Sequence, residues 1–174
     1  MKIQRSLLMV FALAVATAAL ASEGHAPGHA DGGSAIGEPG KSAEITRTLQ
    51  ARMLDTMRFS PADFSVKEGE TVRFVVKNTG LVPHEFVLGS RKELEAHAAM
   101  MRKSPAMTHT ESNMLHLAPG ATGELVWKFS KAGSVNVACL MPGHYEAGMR
   151  AQVRVAARAG AASVPSSQDG GHAH

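Results

Sequence analysis

Four residues separate Cys139 from His144, and four more separate His144 from Met149. Pro142-Gly143 lies inside the first interval, and a Pro-Gly turn lets the chain fold back on itself. A thiolate, an imidazole and a thioether from one loop can therefore converge on a point. These donors form a soft, polarizable set suited to copper. A second imidazole, His84, follows Pro83 where a strand begins. Two histidines and a cysteine near a trigonal plane, with a weak axial methionine, make a type 1 copper site. Such a site accepts Cu(I) and Cu(II) about equally well, so an electron moves with little reorganisation.

Other readings of these residues explain less. A lone buried cysteine is usually an inert small hydrophobe, and a methionine at a strand start is usually core. A Cys–His nucleophile needs a third group to orient the histidine, and no Asn or Asp is placed for it in the sequence. Zinc sites favour more than one cysteine or a different histidine spacing. None of these accounts for Cys-x4-His-x4-Met.

The compartment fits a metal-bound thiol. Basic Met1-Lys2-Ile3-Gln4-Arg5 precedes an apolar run from Leu7 to Leu20 that closes on Ala19-Leu20-Ala21. This pattern predicts a signal peptide over 1–21, cleaved after Ala21, and export to the periplasm. The run is too short to span a bilayer, and no later stretch is apolar enough, so no membrane span is expected after cleavage. The formal charge of +3 loses two positive charges with Lys2 and Arg5. The remaining basic residues are scattered among acids, so a nucleic-acid partner is not expected. Cys139 is the only cysteine. In an oxidising compartment a lone thiol needs burial or ligation.

The elements that must position these ligands are strands. Apolar side chains alternate at Phe64 and Val66, at Val72, Phe74 and Val76, and at Phe86 and Leu88. The alternation continues at Leu125, Trp127 and Phe129, at Val135 and Val137, and at Val153 and Val155. Ile45, Arg47 and Leu49 start an earlier strand, and turns fall at Asn78-Thr79-Gly80, Pro119-Gly120 and Lys131-Ala132-Gly133. Seven or eight short strands predict an all-β antiparallel sandwich. Arg91 to Lys103, rich in Ala, Glu, Leu, Lys and Met, predicts one helix ended near Ser104-Pro105. The domain spans 44–156. Residues 22–43 and 157–174 have almost no large apolar side chains and read as flexible tails.

Three stretches carry a family resemblance: Phe59-Ser60-Pro61 to Gly69-Glu70-Thr71-Val72, Pro83-His84-Glu85-Phe86, and the Cys139-to-Met149 loop. Together they resemble the cupredoxin (plastocyanin/azurin) superfamily. Within it the chain is most similar to periplasmic CopI-type copper-tolerance proteins, which share Gly143-His144-Tyr145-Glu146-Ala147-Gly148-Met149 and a Met/His-bearing insertion. The resemblance implies a Greek-key β-sandwich and metal ligands His84, Cys139, His144 and Met149. It leaves the physiological role open, because family members differ in partners more than in metal site.

The insertion carries His97, Met100, Met101, Met107, His109, Met114 and His116. His97 and Met101, at i and i+4, share a helix face. Thioethers and imidazoles can capture extra Cu(I); the plainer reading is that the methionines pack the helix on the sandwich. Tail residues His25, His29, His172 and His174 offer sites for Cu(II). Met53 and Met57 read as core.

Three function classes compete. A multicopper oxidase needs histidines flanking the cysteine, but Cys139 lies between Ala138 and Leu140; a binuclear electron-entry site needs a second cysteine. An enzyme is therefore not expected. A diffusible electron carrier would present an apolar patch, which Leu81, Val82, Leu140, Met141 and Pro142 can supply, to a redox protein partner. The Met/His insertion and His-bearing tails are unnecessary for a carrier and favour copper handling by a monomer.

Overall fold

The computed structural model describes residues 36–103 and 111–158. The signal segment, the four tail histidines, Met107 and His109 lie outside the described residues.

Two five-stranded sheets face each other. The first runs β1 (Glu38–Pro39), β8 (Thr122–Lys128), β5 (Thr71–Asn78), β2 (Arg47–Leu54), β3 (Arg58–Ser60) in spatial order. The second runs β4 (Asp63–Lys67), β10 (Arg150–Ala156), β9 (Gly133–Ala138), β6 (His84–Gly89), β7 (Met114–Leu117). The period-two pattern is the cause: Phe64, Val66, Val72, Phe74, Val76, Leu125, Trp127, Val135, Val137, Val153 and Val155 all enter one core. At its centre Phe74 packs against Phe64, Phe86 and Phe129, with ring centroids 5.5, 5.4 and 6.3 Å away.

The sandwich is not purely antiparallel. β2 pairs parallel with β5, and β4 pairs parallel with β10. Between β2 and β5 the chain crosses to the second sheet for β4 and returns, which restores the strand direction. Ile45 lies outside β2, behind a 3-10 turn at Ser42–Glu44. The chain also joins the fold before residue 44. Ile36 is buried in the core, its carbonyl accepts the Trp127 indole N–H at 2.9 Å, and Glu38–Pro39 pairs with β8. Residues 36–43, read above as tail, thus belong to the first sheet.

The helix α1 spans Arg91–Lys103, as its composition predicts. It opens with a reciprocal cap: the Ser90 N–H donates to the Glu93 carboxylate at 2.7 Å, and the Glu93 N–H donates to Ser90 Oγ. Leu94, His97 and Met101, at i, i+3 and i+7, are its buried residues. Because α1 packs on β6, every residue of β6 is buried, on both faces. Phe86 and Leu88 enter the main core, while Val87 joins Leu94, Met114, Ala138 and Leu140 in a second cluster. Among the described residues no helix is long and apolar enough to cross a membrane.

Candidate metal centre

Cys139 follows directly on β9, and His84 opens its neighbour β6, so pairing of those strands brings the two residues to one end of the second sheet. The loop from Cys139 to Met149 then closes on itself. The His144 N–H donates to the Met141 carbonyl at 3.0 Å across Pro142-Gly143, and Gly143 has φ +83°. Proline second and a left-handed glycine third is the type II turn pattern. The Met149 N–H donates to the His144 carbonyl, and the Cys139 N–H to the Met149 carbonyl, at 3.0 and 3.1 Å. Arg58 of β3 fastens the loop by donating to the Ala147 carbonyl at 2.8 Å. Met149 is fully buried in the same core cluster as Cys139.

Three donor atoms converge. His84 Nδ1 and His144 Nδ1 are 3.2 Å apart, and Cys139 Sγ lies 3.3 Å from His144 Nδ1 and 4.0 Å from His84 Nδ1. Ligand atoms that share a small cation, bonded at about 2.0–2.3 Å, stand about 3.3–3.6 Å apart. The spacing and the soft donor set therefore fit a copper ion. Asp55, just after β2, sets which imidazole nitrogen is free. Its Oδ1 lies 3.2 Å from His84 Nε2, so Nε2 carries the proton and Nδ1 turns its lone pair toward Cys139 and His144.

Asp55 is itself held. It accepts the Leu81 N–H at 2.6 Å and, more weakly, the Val82 N–H. The Leu81 hydrogen bond leads the causes that lower its pKa, so it is ionised at neutral pH. A β-carbon at Gly80 would overlap this carboxylate, so any side chain there must push Asp55 aside. An Asp55→Asn variant should bind Cu(II) about 10- to 100-fold more weakly, because the ligand loses an ionised orienting partner. Its reduction potential should rise, since lost negative charge disfavours Cu(II). Gly80→Ala should shift both quantities the same way; unchanged affinity and potential in both would remove Asp55 from the site.

Burial tunes the other donors. Desolvation pushes the Cys139 thiol up from 9.0 to about 11, although the Glu85 N–H donates to Sγ at 3.3 Å and opposes it. His144 is half-buried; desolvation first, then the neighbouring His84, lowers its pKa and keeps the ring neutral and able to bind metal.

The remaining sequence candidates divide. His97, Met101 and Met114 are buried beneath or beside α1, Met100 is 38% exposed, and His116 is exposed. Met53 is core, and Met57 packs at its edge. Leu81 is 84% exposed and Val82 38%, but Leu140 is buried and cannot belong to a surface patch. Leu140 turns away because α1 covers it. Asp55 and Glu85 were not singled out from the sequence. No local signal marks Asp55, 29 residues before His84. Glu85 had one: a charged residue in a strand that continues with apolar Phe86-Val87-Leu88.

The pattern of the copper binding proteins of the plastocyanin/azurin family matches residues 46–156. The chain is 47% identical over 161 residues to the copper-resistant cuproprotein CopI of Rubrivivax gelatinosus, covering 88% of this chain and 98% of that protein. It is 34% identical over 164 residues to the CopI of Pseudomonas aeruginosa, covering 78% and 88% respectively. Among solved structures, a reduced auracyanin from Roseiflexus castenholzii superposes with a TM-score of 0.55 at 20% identity, covering 64% of this chain and 98% of that one. Auracyanin B gives 0.56 at 21%, covering 71% and 96%. The two structures share the fold.

Proposed function

This chain belongs to the plastocyanin/azurin family of copper-binding proteins and to its CopI-type branch, and on that premise we propose that it handles copper in the periplasm through one redox-active type 1 site. His84, Cys139, His144 and Met149 would hold the ion. When bound there, copper supplies one-electron exchange between Cu(I) and Cu(II). The protein's own residues do the rest. Asp55 fixes the His84 tautomer, the Glu85 N–H spreads the charge of the thiolate, and the core excludes water from Cys139.

The observation that carries this reading is the convergence of the His84, Cys139 and His144 donor atoms, all within 4.8 Å of one another. The copper-resistance names of the relatives support handling over simple electron carriage, and the signal-like segment 1–21 supports export. Cys139 has neither a flanking histidine nor a second cysteine beside it, so we read the chain as a binding protein rather than an oxidase.

Exposed Leu81 and Val82, beside His84, favour a second reading as an electron carrier docking on a redox partner. Growth separates the two. In cells lacking the native gene, this chain should restore tolerance to added copper, and Cys139→Ala should not. Normal tolerance without the gene, with slowed respiration at ordinary copper, would sink the handling role and establish the carrier.

A further inference from the structure

The outer face of the second sheet carries a carboxylate that the copper site does not use. Glu85 points away from the main core, its side chain is only 1% exposed, and α1 packs over its strand. Its Oε2 is buried with no hydrogen-bond partner. Its Oε1 lies 3.5 Å from Nδ1 of His116, its cross-strand partner on β7. That distance is long for a direct hydrogen bond. It is close to the separation of about 3.3 Å expected of two ligand atoms on one small cation. His116 is 36% exposed, so an ion can reach the pair from solvent.

We propose that Glu85 and His116 form a second metal site, for a divalent ion of the Cu(II) or Zn(II) class. A carboxylate oxygen and an imidazole nitrogen are harder than the thiolate–thioether set of the first site, and among common divalent ions such donors bind Cu(II) most tightly. A bound cation satisfies the orphaned Oε2. Met114 stands two residues before His116 on the same strand face, and Met101 is buried on the α1 face.

The two sites communicate through one residue. The Glu85 N–H donates to Cys139 Sγ at 3.3 Å, so charge on the Glu85 side chain lies close to the thiolate. A cation on that carboxylate cancels negative charge beside the thiolate. It should therefore shift the reduction potential of the first copper upward. The proposal takes only the identity of the ion from the copper-handling reading.

Full-length protein with His25, His29, His172 and His174 changed to Ala, carrying one Cu(II) at the first site, is titrated with further Cu(II), with dialysis to count bound ions. The expected result is a second equivalent with a large-hyperfine electron paramagnetic resonance signal and no growth of the thiolate band. Zn(II) at the second site should move the first copper's potential upward. Glu85→Gln and His116→Leu should each remove the second equivalent, and His116→Leu should keep the thiolate band. If Glu85→Gln does not fold, the half-exposed His116 decides alone. A single equivalent in this tail-altered protein, or a second one that survives His116→Leu, overturns the site. If no thiolate band ever forms, the first-site reading fails separately. Zn(II) is then counted in Cys139→Ala with and without His116→Leu: one ion fewer in the double variant supports the proposal, and equal counts overturn it.

Discussion

Cys139→Ser protein loaded with Cu(II) will be colourless, while the wild type shows an intense visible band. The band arises because a thiolate donates electron density to Cu(II), and Cys139 is the only sulfur in the chain that can ionise. Serine keeps the shape of the side chain but offers an alcohol oxygen that stays protonated at neutral pH. Uptake should report the same residue through protons. The buried thiol has its pKa raised to about 11, so at pH 7 the metal-free protein carries the proton and Cu(II) must displace it. Wild-type protein will release that proton on binding Cu(II), and Cys139→Ser will not. Raised in the fold above its ordinary 9.0, this pKa also predicts that the metal-free protein is favoured by its neutral thiol below about pH 9 and loses that contribution as pH climbs toward 11. Absorption spectra with a pH-indicator dye measure the first two effects. A Ser variant that keeps the band would place the chromophore elsewhere.

Phe74→Ala will destabilise the metal-free domain by about 3–5 kcal/mol. Phe74 is fully buried and touches three other aromatic rings, two of them edge-on, so truncation opens a cavity that neighbours held by both sheets cannot collapse to fill. Domains of this size are stable by only about 5–15 kcal/mol, and the melting temperature should fall by on the order of 10–20 °C. One of those rings, Phe86, lies two residues after His84 on β6 and on the same face, so the defect lies close to the metal centre. Copper binds only the folded form and should raise the melting temperature of both proteins. Calorimetry of the two metal-free forms checks the loss. A cost under about 1 kcal/mol would mean that Phe74 is not the keystone its burial implies.

Much of this architecture was legible before any coordinates. Alternation at Val72-Phe74-Val76 names a strand because side chains on a pleated backbone must alternate between faces. Arg91–Lys103 reads as a helix because its residues lose little rotamer freedom in one. The Cys139–Met149 loop reads as one ligand unit because eleven residues with a Pro-Gly turn cannot carry their side chains far apart. Each of these is a local statement, fixed by neighbours along the chain.

What the sequence left open depends on encounters between distant segments. His84 is 55 residues from Cys139, and only the pairing of β6 with β9 brings them together. Asp55 reaches His84 from the other sheet, through a gap kept open by the missing side chain of Gly80. Residues 36–43 have too few apolar side chains to look ordered, yet β8 offers an unpaired edge and Trp127 a donor that Ile36 satisfies. Leu140 read as part of a surface patch until α1 covered it, and Glu85 is buried in β6. Local propensity fixes which residues form strand, helix or turn. The burial of a carboxylate and the orientation of a histidine are set by whichever element packs on them, and that choice belongs to the whole fold.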